Sequence, residues 1–294
     1  KILTTILKNN RKTLRLVSIK PIPDENMAQA LFQFLLESHT TKFQLLIDDY
    51  SERTKRLADV LLRSKNIDLN LENSCLASEE LSALINILPQ SKIKSLSLKI
   101  NIENRYFLTN ILLLQTKLLK LNLEESMIGD EGVVILAEAL LKSAIKELSL
   151  KGNRIYSKGA FALAKALPHS QITRLNLKNN IIHNKGAVAL AEALPQSQIT
   201  SLNLKNNNIQ SKGAVALARV LPQTQITELN LAYNTIDSEG AGALAEALSQ
   251  WKIIHLNLDG NHIGSEVAIF LAKQSLQPRT PSKERKVDTL RLSF

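Results

Sequence analysis

Two consecutive segments of the chain are almost identical, and this repetition constrains the fold more than any other feature of the sequence. Residues 172–198 read ITRLNLKNNIIHNKGAVALAEALPQSQ, and residues 199–225 repeat them with changes at seven positions. Repetition at a fixed period of this size is typical of proteins built from stacked structural repeats. One copy cannot bury its apolar residues alone, so the copies must pack against each other.

Each copy predicts one strand, one turn and one helix. Apolar and polar residues alternate in the first half, as in a strand with one face on a core. In the second half Leu190 and Leu194 are four residues apart, on one face of a helix. We count the first apolar residue of a copy as position 1. Copies then begin near Arg11, Lys42, Asn66, Ile93, Leu118, Ile145, Ile172, Ile199, Ile226 and Ile253, and a final strand at 289–292 ends the array.

Three positions of the repeat carry residues with an evident structural role. Position 9 is Asn, and a stack of amides can satisfy backbone groups that turn away from the sheet. Position 13 has residues that favour helix N-caps, and position 15 has Gly, where close packing excludes a side chain. The position 9 residues are Asn153, Asn180, Asn207, Asn234 and Asn261; those at position 13 are Asp130, Ser157, Asn184, Ser211, Ser238 and Ser265.

The pattern Leu-x-x-Leu-x-Leu-x-x-Asn-x-Leu/Ile, with a helix in each copy, resembles the leucine-rich repeat in its ribonuclease-inhibitor-like subfamily. The resemblance implies an α/β solenoid with a horseshoe shape, in which a parallel sheet lines the concave face and helices cover the convex face. The nearly duplicated, Lys/Asn/Ile-rich copies also resemble leucine-rich-repeat effectors of intracellular bacterial pathogens, of the Legionella type.

We expect a single leucine-rich-repeat domain over residues 1–294. Residues 1–65 are expected to form divergent N-terminal capping repeats, since terminal repeats depart from the consensus. Residues 66–277 are the regular repeats. Residues 278–294 are a basic loop followed by the closing strand.

Motifs of enzymes and of metal or cofactor sites are missing from the sequence. We find no phosphate-binding loop, no G-x-G-x-x-G and no H-E-x-x-H. The single cysteine, Cys75, excludes a disulfide framework, and His255 and His262 have no third ligand in the pattern. No apolar run reaches the length of a membrane span. We therefore expect neither catalysis nor a cofactor.

The surface residues of the strand ends are the best candidates for a binding site. The chain has 37 Lys and Arg against 27 Asp and Glu, a net charge of +10, which suggests an acidic partner. Two lysine columns, at positions 7 and 14, mark the rim where strands end and helices begin. Repeat duplication without selection is the alternative explanation of these columns. The candidate partner-binding residues are Lys151, Lys178, Lys205, Lys158, Lys185, Lys212, Arg174 and Tyr233.

The leading functional hypothesis is a monomeric protein–protein interaction module. The resemblance to pathogen effectors implies a secreted protein that binds a host protein in the host cytosol; a cytoplasmic protein is the alternative. A second hypothesis is the substrate-recognition arm of a larger enzyme such as a ubiquitin ligase. A third is nucleic-acid binding through the basic surface, against which the lysine column has almost no aromatics for base stacking.

Overall fold

The computed structural model describes residues 16–19, 42–45, 68–72, 78–100, 108, 110, 117–276 and 287–292. Predictions for Cys75 and for the basic stretch 278–286 lie outside the described residues. Contacts divide the chain into two compact units: unit 1 comprises residues 1–126 and 142–145, and unit 2 comprises residues 127–141 and 146–294. The prediction of a single domain over the whole chain stays a prediction.

The described part of unit 1 has five strands, and each pairs in parallel with the next. Leucines on one face of the later strands are buried, as the alternating pattern predicts, with Leu69 and Leu96 almost inaccessible to solvent. One helix and a following 3-10 turn at Leu88–Gln90 are also described. The strands are β1 Leu16–Ile19, β2 Lys42–Leu45, β3 Asp68–Leu71, β4 Ser95–Leu98 and β5 Lys120–Asn122, and the helix is α1 Ser78–Ile87.

Unit 2 repeats the predicted strand–turn–helix element regularly. Its strands pair in parallel and in register, so that Leu175 lies opposite Leu202 and Leu202 opposite Leu229. The predicted parallel sheet with one strand per repeat is therefore confirmed. The strands are β6 Glu147–Ser149, β7 Arg174–Asn176, β8 Ser201–Asn203, β9 Glu228–Asn230, β10 His255–Asn257 and β11 Thr289–Arg291.

The helices of unit 2 lie on the side of the sheet where the leucines at positions 4 and 6 are buried. Proline follows three of them, at Pro168, Pro195 and Pro222, within the 3-10 turns that lead to the next strand. The helices are α2 Gly129–Leu140, α3 Ser157–Ala166, α4 His183–Ala193, α5 Ser211–Val220, α6 Ser238–Ala247 and α7 Ser265–Leu276.

Neighbouring helices pack closely at position 15. A Cβ atom on Gly186 would lie 2.5 Å from Ile182 Cγ2 and 2.9 Å from Ala160 Cβ. Gly213 and Gly240 meet their surroundings in the same way. The predicted role of these glycines, close approach between successive repeats, is confirmed.

The position 9 asparagines form the predicted buried ladder. Asn180 donates from Nδ2 to the carbonyls of Leu150 at 3.0 Å and Leu177 at 2.8 Å. Its Oδ1 accepts from the N–H groups of Asn153 at 2.9 Å and Ile155 at 3.1 Å. Each side chain therefore links its own turn to the preceding repeat.

Asn207 departs from this pattern although it belongs to the almost identical copy. Its Nδ2 donates to Leu177 O at 2.8 Å and Leu204 O at 3.1 Å, but its Oδ1 is buried without a hydrogen-bond partner. The neighbouring turn differs, since His183 has a left-handed backbone with φ of 55° and its N–H donates to Asn207 O instead. The two copies are thus unequal at their most buried polar residue.

The predicted N-caps at position 13 are wrong in register. These residues lie inside the first turn of their helix, and their side chains act on the next repeat. Asp130 Oδ1 accepts from Tyr156 N–H at 2.8 Å and Gly159 N–H at 2.9 Å, at the start of α3. Asn184 Oδ1 accepts from Gln210 N–H and Gly213 N–H at the start of α5.

Helix α6 is capped differently, by Asp237 one residue before its start. The Asp237 carboxylate accepts from Glu239 N–H at 2.9 Å and Gly240 N–H at 3.3 Å. The Ser211 hydroxyl of the preceding repeat also donates to this carboxylate. Hydrogen bonds from Ser211 and Gly240 hold the pKa of Asp237 below its ordinary value.

Candidate functional site

The first lysine column of unit 2 lies just past the ends of β6, β7 and β8. The backbone ladder continues there, since Gly152 N–H donates to Lys178 O and Asn179 N–H to Lys205 O, both at 2.9 Å. Parallel strands lie about 4.8 Å apart, so Lys151, Lys178 and Lys205 follow each other at that backbone spacing. The sequence prediction of a stack at position 7 therefore matches the placement of these residues.

The second lysine column lies in the first turns of α3, α4 and α5. Lys158, Lys185 and Lys212 are all exposed. Within the described residues, no carboxylate pairs with any of these three or with Lys178. A helix N-terminus favours negative charge, so these lysines occupy an electrostatically unfavourable position. At the same position of flanking repeats the chain has Glu131, Glu239 and Glu266. We call the two columns together the lysine rim.

Tyr233 lies next to the lysine rim in an unusual backbone conformation. Position 8 is left-handed in successive repeats, and this position is filled by Gly152, Asn179, Asn206 and Gly260 in the neighbouring ones. Glycine and asparagine adopt this conformation at low cost, whereas a bulky residue there is rare. Tyr233 nevertheless has φ of 54°.

The Tyr233 side chain is exposed and held from both sides. Its exposed fraction is 56%, and Lys205 Nζ lies 4.3 Å from the ring centroid, a cation–π contact. On the other side, a Cβ atom on Gly260 would lie 2.9 Å from the ring, so glycine at that position makes room for it. Tyr233 therefore continues the rim with an aromatic face where Ala232 replaces the position 7 lysine.

The face of the sheet opposite the helices, which we call the open face, contains a groove over β7 to β11. Its volume is about 510 Å³, and positions 3 and 5 of the repeats line it. Arg174 Nη2 pairs with Glu228 Oε2 at 2.8 Å, across the intervening strand. The Ser201 hydroxyl on that strand donates to the same oxygen at 2.8 Å.

The Glu228 carboxylate is held in its charged form. Partial burial alone would raise its pKa, but the hydrogen bond from Ser201 and the positive charge of Arg174 outweigh this effect, with a smaller contribution from His255. The net result is a pKa below the ordinary value for glutamate. At neutral pH the groove therefore contains a Glu228 that is already neutralised by its own neighbours.

The structure separates the sequence-predicted residues into two places. Six lysines and Tyr233 lie along the rim, whereas Arg174 lies on the open face and is engaged with Glu228. Sequence reasoning missed Glu228, Ser201 and Arg291 as part of a groove. A signal was present, since residues 174 and 228 are two whole periods apart and hence on the same row of the sheet.

Two kinds of site were searched for in the described part of the chain. It contains no group of three or more His, Cys, Asp and Glu side chains that could hold a metal ion. None of its helices combines the length and apolar character needed to cross a bilayer.

Four segments of the chain match the family model described as Leucine Rich repeat: residues 144–164, 171–191, 198–218 and 224–245. No curated protein matches the sequence. The chain therefore contains leucine-rich repeats, and its fold is an α/β leucine-rich-repeat solenoid. Such repeats usually form non-enzymatic scaffolds that bind other proteins along an extended surface, and the match indicates no catalytic family.

Among solved structures, the chain is similar to one from the crystal structure of the Rad7 and Elc1 complex in yeast. The identity is 16%, the TM-score is 0.63, and the match covers 90% of this chain and 68% of that one. This similarity shows the fold alone. A second similarity, to Leiomodin-1 Actin-Binding Site 2, has 21% identity and a TM-score of 0.41 over 49% of this chain and 84% of that one.

Proposed function

We propose that this chain is a non-enzymatic protein-binding module whose partner presents an acidic surface to the lysine rim. The observation that carries the proposal is the arrangement of Lys178, Lys158, Lys185 and Lys212, which have no paired carboxylate within the described residues. They are accompanied by Lys205 and Tyr233, which form an exposed cation–π pair. Aromatic and cationic side chains together are typical of the residues that contribute most to protein interfaces.

The lysine rim has an electrostatic cost in the free protein. Two unit charges 4.8 Å apart repel by about 0.9 kcal/mol in bulk water, and less in salt. A cation at a helix N-terminus loses about 0.3–1 kcal/mol relative to an anion there. An acidic partner would remove both penalties, because its carboxylates would face several lysines and three helix N-termini at once.

The proposal extends to the identity of the partner. The duplicated, Lys/Asn/Ile-rich copies resemble effectors of intracellular bacterial pathogens, which supports a host protein in the host cytosol, reached after secretion. A partner in the producing cell's own cytoplasm is the alternative. The same rim would also serve as the recognition arm of a larger enzyme such as a ubiquitin ligase. Nucleic acid is disfavoured because Tyr233 is the one aromatic next to the position 7 lysines.

The experiment compares two double variants with the same change of charge in a pull-down from candidate host lysate. Lys178→Glu with Lys205→Glu reverses the rim. Lys165→Glu with Lys273→Glu reverses two exposed lysines on the outer faces of α3 and α7, and serves as the control. We expect the rim variant to lose a captured protein that the control retains, as measured by mass spectrometry after nuclease treatment.

Two outcomes would contradict the proposal. Equal retention by both variants would leave repeat duplication as the explanation of the lysine columns. Equal loss in both variants, together with capture of nucleic acid before nuclease treatment, would indicate binding by net charge instead.

A further inference from the structure

Hydrogen-bond donors and acceptors are unevenly satisfied on the open face of unit 2. At position 5, Asn203, Asn230 and Asn257 each accept at Oδ1 from an N–H group two residues ahead, at 3.0, 3.0 and 2.9 Å. These bonds fix which amide atom is oxygen, because a backbone N–H can only donate. The Nδ2 groups of all three point away from these bonds and have no acceptor within the described part of the chain.

Other asparagines of the same column show that this is a local property. Asn176 Nδ2 donates to Ser149 Oγ at 3.0 Å, and Asn122 Nδ2 donates to Glu72 Oε1 at 2.7 Å. Unused donors are therefore confined to the three strands that line the groove. A donor amide can make two hydrogen bonds, so these three strands offer a continuous row of unused donors.

The row ends on a positive charge. The strand register places Asn203 opposite Asn230, Asn230 opposite Asn257, and Asn257 opposite Arg291. Neighbouring positions are about 4.8 Å apart. Arg291 thus occupies the place of a fourth asparagine, and its exposed guanidinium adds further donors, all charged.

The remaining charges of the groove do not oppose an anion. Glu228 is the one acidic residue among those that line the groove, all of which lie in the described ranges. Its Oε2 already accepts from Arg174 and Ser201. His255 and Thr289 complete the row above the asparagines. The groove is therefore rich in donors and poor in free acceptors.

We propose that this groove binds the carboxylate side chains of an acidic peptide segment, with one carboxylate held between Asn257 and Arg291. The inference rests on the proposed function, since the segment would belong to the acidic partner of the lysine rim. Hydrogen bonds to an ionised acceptor are shorter and stronger than neutral ones, which favours carboxylates over backbone carbonyls. The lining contains no aromatic residue on which a nucleic-acid base could stack.

The experiment is an NMR titration of the isotopically labelled protein with the peptide acetyl-Glu-Glu-Glu-Glu-amide at low salt. Side-chain amide signals of Asn203, Asn230 and Asn257 are followed, and acetyl-Gln-Gln-Gln-Gln-amide is the uncharged comparison. We expect these three signals to shift with the glutamate peptide and not with the glutamine peptide. A thymidine oligonucleotide tests the phosphate alternative.

Matched variants locate the binding site. Asn257→Asp keeps the oxygen that accepts the backbone bond and replaces the donor with a negative oxygen, so we expect about tenfold weaker binding. Asn176→Asp adds the same charge to the same column outside the groove and should weaken binding no more than about twofold, since exposed charges interact weakly. Arg291→Gln tests the end of the row independently, should Asn257→Asp fail to fold.

The outcomes separate this inference from the proposed function. Groove shifts that persist in the Lys178→Glu, Lys205→Glu variant would support the groove even if the lysine rim binds nothing. Shifts confined to signals near the lysine rim, or equal effects of Asn257→Asp and Asn176→Asp, would overturn the groove and leave the lysine rim intact. Groove shifts with the oligonucleotide but not the glutamate peptide would also overturn it.

Discussion

Two sets of charged residues run along the helices of unit 2, and they follow opposite rules. At position 14, in the first turns of α3, α4 and α5, the charge is always positive. At position 21, seven residues further along the chain, exposed charges alternate in sign from one repeat to the next. The position 21 residues are Glu138, Lys165, Glu192, Arg219, Glu246 and Lys273.

The two almost identical copies show that the difference is more than a product of duplication. Glu192 and Arg219 occupy equivalent places and have opposite charge, whereas Lys185 and Lys212 are the same. Packed helices lie about 8–10 Å apart, so an alternating column gives each charge two opposite neighbours. The outer column thus balances its own charge, and the lysine rim does not. A surface that cannot balance its charge alone is suited to an external counter-charge.

The largest expected effect tests the buried scaffold that both charge columns share. Asn180→Ala removes two donor and two acceptor bonds and leaves buried backbone groups unpaired, so we expect a loss of about 3 kcal/mol in the free energy of unfolding. Asn207→Ala removes donor bonds alone and should cost about 1–2 kcal/mol. Chemical denaturation of the two variants measures the difference. Equal losses would mean that the unpaired Oδ1 of Asn207 is an incorrect feature of the turn.

A smaller effect is expected at the aromatic end of the lysine rim. Tyr233→Asn places a residue that tolerates a left-handed backbone at position 8, so we expect a gain of up to about 1 kcal/mol in stability. The loss of the ring beside Lys205 should at the same time weaken capture of the partner. Thermal melts and the pull-down measure the two properties. A variant that is less stable than the wild type would show that the ring contributes more to packing than its conformation costs.

The two charge-reversal variants should differ in stability by about 0.5 kcal/mol, because exposed charges contribute little. Lys178→Glu with Lys205→Glu relieves like-charge repulsion and should leave stability unchanged or slightly higher, although it removes the Lys205–Tyr233 contact. Lys165→Glu with Lys273→Glu breaks the alternation of the outer column and should lower stability slightly. Melts at low and high salt measure this, and the reverse order would contradict the comparison.

The smallest effect concerns acid. The pKa of Glu228 is lowered in the folded protein, so its contribution to stability is fully present above the pKa of the unfolded state and is lost as the pH falls through the folded-state value. Asp237 acts in the same direction. We therefore expect Glu228→Gln to reduce the loss of stability between about pH 5 and pH 3. Melting temperatures over that range test it, and identical slopes for wild type and variant would rule out the contribution.

The sequence predicted what depends on the period and little of what depends on contacts between repeats. The parallel strands, the buried leucines, the glycine contacts and the asparagine ladder all follow from residue type at a fixed position. The position 13 caps were predicted in the wrong helix, because the propensity of Asp130 or Asn184 for capping does not say which helix it reaches. The groove was missed because unused donors become visible only when every hydrogen bond is known.

The capping of one helix by the preceding repeat has a consequence for how this protein can be rebuilt. The repeats that begin near Leu118 and Ile172 supply Asp130 and Asn184, and each has a left-handed residue just before that position, Gly129 or His183. The repeats that begin near Ile145 and Ile199 receive these caps. Donor and recipient alternate, so the module that can be cut out or duplicated without leaving a helix uncapped is a pair of repeats. An engineered array should therefore grow in steps of two.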